Sequence, residues 1–210
     1  MSPTIALLTF AIAAAVLTIT PGVDTALVLR TVAVEGPRRA VAAAFGICCG
    51  LLLWGLAVAL GIGALLAASS LAYMVLRWVG AAYLVWLGLT LLLRPHQEAP
   101  SLDAVPPAQP SAMKWFARGL LSNLTNPKVG VFYVTFLPQF VPPGVAVAPF
   151  IALLVTLHVA EGVLWLTVLI VATRSTARLL RRPAVVRVLE RLTAAILISF
   201  GLRLAFEGRR

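Results

Sequence analysis

Read from its amino terminus, the chain alternates long uncharged runs with short basic connectors. No Asp, Glu, Lys or Arg occurs in Ser2–Val23, Ala40–Leu76, Trp78–Leu93, Val129–Ala160, Gly162–Thr173 or Leu192–Leu202. A helix needs about 20 predominantly apolar residues to cross a hydrocarbon core of roughly 30 Å. The runs lack the polar and apolar alternation of barrel strands. A backbone in lipid must also satisfy its amides within its own segment, and that leaves helices. The pattern predicts an all-α membrane protein with six transmembrane helices, near 4–33, 40–68, 71–93, 123–141, 147–173 and 184–206.

Between the third and fourth of these, Arg94–Met113 holds five of the fourteen prolines together with Gln97, Glu98, Asp103 and Gln109, the composition of a solvated linker. It divides a single domain, 1–210, into a first repeat 1–93, a linker 94–112 and a second repeat 113–210. Three spans in each half force the second half to enter the bilayer from the opposite face. Two inverted three-helix repeats are thus expected, as in many secondary transporters. Counted on this topology, twelve basic residues fall on one side, among them Arg38, Arg39, Lys114, Arg118, Arg174 and Arg178, and only Arg77, Arg203, Arg209 and Arg210 on the other. The positive-inside rule then places the basic connectors in the cytoplasm and both termini outside the cytoplasm, for a multi-pass membrane protein.

Composition sharpens this. Hydrophobic residues make up 61% of the 210 and charged residues 11%, with a mean hydropathy of +1.00, outside the usual range of soluble domains. The excess of 17 Lys and Arg over 7 Asp and Glu would suit nucleic acid, but the basic residues sit in connectors where they meet anionic membrane lipids, and no aromatic stripe interleaves with them. No nucleic-acid partner is expected. The two cysteines, Cys48 and Cys49, are adjacent in an apolar run, a poor arrangement for a disulfide or a metal site. The apolar amino terminus lacks the basic start of a signal peptide and reads as an uncleaved first span. A bundle this small is compatible with a homodimer. Nothing calls for a cofactor, a metal or enzymatic chemistry.

The candidate chemistry lies where spans break. Thr20-Pro21-Gly22-Val23-Asp24 interrupts the first span of one half, and Thr125-Asn126-Pro127-Lys128 the first span of the other. Proline removes a backbone donor yet fits the first turn of a new helix, which Thr20 or Asn126 is placed to cap. Each span should therefore be two half-helices. A half-helix starting at mid-membrane offers free N–H groups to an anion, and the carbonyls just before it suit a cation. The two breaks should meet, with Asp24 and Lys128 flanking one cavity. A charge costs at least about 2.5–3.5 kcal/mol at the bilayer centre, so such residues tend to be functional. A zwitterionic amino acid fits both, its ammonium on Asp24 and its carboxylate on Lys128 and the half-helix amides. In the empty protein the two could pair directly as a structural ion pair, or Asp24 could take a proton and couple export to proton entry.

His158 and Glu161 lie three residues apart on one face of the fifth span, as a proton relay or as a polar pair that packs the bundle. Gly46-Ile47-Cys48-Cys49-Gly50 permits close helix approach and places the second span in the interior. Trp54, Trp78, Trp86, Trp115 and Trp165 read as interface anchors or core.

These residues, taken in order, resemble the LysE/RhtB family of amino-acid exporters over essentially the whole chain. The resemblance rests on Thr20–Asp24, then Gly36-Pro37-Arg38-Arg39, Gly80-Ala81-Ala82-Tyr83-Leu84 with Leu87-Gly88, Ser122–Lys128, and Phe136-Leu137-Pro138-Gln139-Phe140. The family's usual Thr-Pro-Gly-Pro-Asp carries Val23 here in place of the second proline, which restores one backbone donor. The resemblance implies proton-driven efflux of neutral or basic amino acids or small derivatives. It carries over Asp24 and Lys128 as the matched charges, with Pro21, Gly22, Asn126 and Pro127 shaping the breaks. His158 and Glu161 rest on local inference alone. The alternatives are export of another small solute or a metal ion on the same scaffold, a thiol redox carrier using Cys48 and Cys49, and an intramembrane hydrolase built on His158 and Glu161.

Overall fold

The computed structural model describes residues 2–68, 70–93, 111–172 and 182–206, and within them the chain is helical, with no strand. Most of the linker 94–112 and the basic residues Arg94, Arg174, Arg178 and Arg181 lie outside the described residues. Helix α1 (Pro3–Ile19) starts on Ser2, whose hydroxyl accepts the Ile5 amide, and stops at Thr20 because Pro21 drives the residue before it to extended backbone. Helix α2 (Val23–Glu35) leaves at 50° to α1. It ends at Gly36, whose φ of 87° suits glycine alone, and Pro37 then opens α3 (Pro37–Ala68). After α4 (Ser70–Leu93) and the linker come α5 (Ala112–Leu124) and a break at Thr125-Asn126. Next is α6 (Pro127–Val131), which runs on through a π turn (Phe132–Phe136) and a 3-10 turn (Leu137–Phe140). Helices α7 (Val147–Val171) and α8 (Pro183–Phe206) complete the chain.

The helix borders fall within a few residues of the apolar runs, except that the fourth unit begins at Ala112, eleven residues before the expected 123. Lys114 and Arg118 lie in this added stretch, and charge there masks a helix from a hydropathy reading. Pro37–Gly61 and Val147–Val171 are each long and apolar enough to cross a membrane, and α1 with α2 passes the same test as one bent pair. Only 50% and 33% of the most apolar windows of those two helices are buried inside the protein. Their outward faces carry Phe45, Leu56, Leu60 and Leu164, a surface that water would penalise and lipid accepts.

Two kinds of packing hold the bundle. Helices α3 and α5 meet through glycine: a Cβ on Gly46 would strike the Phe116 carbonyl, one on Gly119 the Ala43 carbonyl, and one on Gly50 the Asn123 side chain. With little hydrophobic drive between helices in lipid, such backbone approach supplies the attraction. The other is an aromatic column. Phe132, Phe136 and Phe140, four residues apart and fully buried, stack on one another and on Phe10 of α1, with ring centroids 4.8–5.7 Å apart. Trp115 is buried while Trp78 and Trp86 face outward, and Cys48 and Cys49 are free thiols.

Candidate functional site

Both breaks form, and they meet. The second follows expectation: Asn126 caps α6, its Oδ1 accepting the Lys128 amide at 3.1 Å, with Pro127 as the first helical residue. The first does not. Thr20 is no cap for α2, and Pro21 does not open that helix; Gly22 is the N-cap, with extended backbone and no side-chain bond to the first turn. Thr20 instead donates to the Val16 carbonyl and pairs with Thr193 of α8, while Pro21 and Gly22 form the extended link. Val23 takes the first helical position, where an amide has no acceptor within its helix. Restoring the family's proline there is expected to raise stability by about 0.4–1 kcal/mol through the unfolded chain, read as a higher midpoint for Val23→Pro in a thermal melt of detergent-purified protein.

Asp24 sits in the first turn of α2, where the helix dipole favours a carboxylate. It accepts three hydrogen bonds from the other half: Ser122 Oγ at 2.7 Å, Asn123 Nδ2 at 3.0 Å and Asn126 Nδ2 at 3.2 Å. Ser122 and Asn123 belong to the last turn of α5, and Gly50 makes room for Asn123. The glycine contact between α3 and α5 thus delivers a donor to the carboxylate. Asn126 joins the two breaks through one amide, its oxygen capping α6 and its nitrogen donating to Asp24.

Lys128 crosses the other way. Its Nζ donates to the carbonyls of Leu17 and Thr20, 3.0 Å each. In an unbroken helix the Leu17 carbonyl would accept from residue 21, but Pro21 has no N–H to give. The proline therefore leaves an acceptor unpaired and the lysine takes it. A Cβ at Gly22 would lie 3.3 Å from Nζ, so glycine keeps the seat open. Asp24 and Lys128 do not bond each other: of the two arrangements open to the empty protein, the direct pair does not form, and there are instead two sets of partners, amides and a hydroxyl for the carboxylate, carbonyls for the ammonium.

His158 and Glu161 do not pair either. His158 is buried, its Nδ1 3.1 Å from the Tyr133 hydroxyl and its Nε2 3.1 Å from Thr18 Oγ1. That seats it one residue along α1 from Leu17, beside the lysine's anchor. Glu161 is partly buried, with Oε2 enclosed and without a partner. The sequence reading missed Ser122, Asn123, Thr18 and Tyr133 as site residues. Polar residues at 122 and 123, just ahead of a break, were the available signal; Leu17 contributes only a carbonyl, which no side chain advertises.

Against the second break lies a cavity of about 420 Å³ bounded by Trp54, Tyr83, Val131, Val134, Asn126 and Pro127. Its two threonine hydroxyls are turned to their own helices: Thr125 donates to the Leu121 carbonyl and Thr135 to that of Val131, 2.8 Å each. The walls are apolar and carry no charged side chain.

Comparison with known proteins supplies the family. A Klebsiella pneumoniae leucine efflux protein is 32% identical over 207 residues, 94% of this chain and 93% of its own. A Salmonella typhimurium homoserine/homoserine lactone efflux protein is 37% identical over 128 residues, 60% of each chain. A Bacillus subtilis uncharacterized membrane protein, YrhP, is 27% identical over 201 residues, 90% of this chain and 93% of its own. No solved structure matches. The LysE type translocator family matches residues 15–208, so the chain, a multi-pass membrane protein of apolar helices, belongs to the LysE/RhtB family of translocators.

Proposed function

We propose that the protein exports neutral amino acids across the bacterial inner membrane in exchange for protons. Six spans carry it, in two inverted halves, 1–93 and 113–210, with the basic connectors in the cytoplasm and both termini outside. The observation that carries this reading is the meeting of the two helix breaks, which sets a carboxylate, an ammonium, the α1 carbonyls that accept it and an uncapped helix start within one polar site. Asp24, Lys128, Thr20, Pro21, Gly22, Asn126 and Pro127 are its substrate-binding residues. The free amides at the start of α2 suit the substrate carboxylate, and Asp24 with the α1 carbonyls suits its ammonium. Asp24, Glu161 and His158 are the proton-coupling candidates. The efflux of leucine, homoserine and threonine named for relatives and the uncharged cavity wall both favour neutral over dibasic cargo. A homodimer in the membrane fits this reading.

The test is efflux from cells preloaded with leucine, threonine, homoserine and lysine, compared with an empty-vector control, with and without a protonophore. One or more neutral amino acids should leave faster from cells that make the protein, and the protonophore should remove that excess. Equal loss from both strains would end the exporter reading; an excess untouched by the protonophore would end proton coupling.

A further inference from the structure

Lys128 is a cation seated on backbone oxygen. A charge present only to neutralise Asp24 would lie on its carboxylate; this one donates instead to the Leu17 and Thr20 carbonyls. Both acceptors are products of the break, since the residues that would have bonded them in a continuous helix are Pro21 and the displaced Asp24. The negative end of the α1 dipole converges on the same point. In transporters with broken helices, such carbonyl ends are where a coupling ion binds. Here the place is filled by an ammonium tethered from the opposite half. Among the described residues the titratable groups that act on it are Asp24 from α2 and His158 from α7, and His158 is held by Tyr133 and Thr18.

We propose that Lys128 is the coupling group of the exchange, a tethered counterpart of the cargo's own ammonium, and that the Leu17 and Thr20 carbonyls hold one ammonium at a time. The inference rests on the exporter reading above. On the cytoplasmic side, the amino acid's ammonium takes the carbonyls. One Nζ–H bond of Lys128 breaks, its electron pair stays on nitrogen as a neutral amine, and the proton passes to cytoplasmic water. On the outer side that lone pair binds a proton from external water, the lysine ammonium returns to the carbonyls, and the amino acid leaves. One zwitterion moves out and one proton moves in, so each cycle carries one positive charge inward. Exclusive occupancy of one seat is what makes the exchange obligatory.

Arginine separates this role from plain charge. Its guanidinium fills a cation site but does not release a proton. The full chain is reconstituted in liposomes loaded with L-leucine, L-threonine and L-homoserine, and an acid step is applied to the face that corresponds to the cell exterior. Wild-type efflux accelerates on the step, and Lys128→Arg, assayed at equal incorporation, loses the whole of that acceleration. A second readout needs no transport. Lys128→Ala empties the seat, so methylammonium chloride, against matched sodium chloride, raises its melting midpoint in detergent and leaves wild type unchanged; Lys128→Met serves in the same melt where the alanine variant is not recovered folded. Acceleration retained in Lys128→Arg overturns the proposal, as does an emptied seat whose melting ignores methylammonium. Wild-type liposomes that release none of the three amino acids remove the exporter reading itself and this inference with it. Release from wild type with unaltered acceleration in Lys128→Arg removes only the tethered lysine.

Discussion

Asp24→Asn should abolish export, with an initial efflux rate at least about a hundredfold below wild type, while the protein still accumulates in the membrane fraction. The carboxylate accepts from Ser122, Asn123 and Asn126, all donors. An amide in its place must turn an NH₂ group toward at least one of them. The substitution also removes the negative charge proposed to meet the cargo's ammonium; a hydrogen bond to a charged group contributes about 1.5–3 kcal/mol, and at about 1.36 kcal/mol per decade the upper part of that range is two orders of magnitude. Asp24→Ala goes further and strands three donors, at about 1–3 kcal/mol for each that stays buried; its signature is a lowered melting midpoint in addition to lost transport. Efflux from preloaded cells, normalised to protein in the membrane fraction, reads the first effect. Near-normal rates in Asp24→Asn would remove the carboxylate from the site.

Gly119→Val is the second large effect, and it reaches the site from a distance. A Cβ at 119 falls on the Ala43 carbonyl, a backbone atom that cannot swing aside, so α5 must lift off α3. Overpacking costs about 1–3 kcal/mol where side chains can adjust, and the upper end is expected here because only a helix shift relieves it. The shift carries Asn123 away from Asp24, so export should fall with stability. Gly61→Ala is the internal control: nothing lies within 4 Å of its added Cβ, and helix propensity predicts a gain of about 0.5–1 kcal/mol. Thermal melts of both variants in detergent test the contrast. A Gly119→Val midpoint equal to wild type would show that the close α3 and α5 contact contributes nothing.

What the sequence disclosed, and what it hid, follows from the kind of atom involved. Long uncharged runs marked the helices well because lipid tolerates little else, and prolines marked both breaks. The start of α5 escaped because Lys114 and Arg118 ride on an exposed helical face, which a hydropathy reading takes for a connector. At the first break, Thr20 has the side chain of a cap, but the extended Pro21-Gly22 link carries the chain two residues beyond it before α2 begins. Asp24 and Lys128 were legible as lone charges in apolar surroundings; their partners were not. The acceptor of the lysine is main chain, identical in every residue type, and only Pro21's missing amide hints that it stands open. The Gly46 and Gly50 pattern was visible, yet its counterpart is the single Gly119, which has no pattern of its own.

The amide of Asn126 fastens the two broken rods where they cross, oxygen to one and nitrogen to the other. Joined this way, neither rod can draw away from the other at this point without giving up a bond of the single amide that starts α6 and steadies the carboxylate of α2. A strain applied to one rod is therefore handed directly to the helix start of the other.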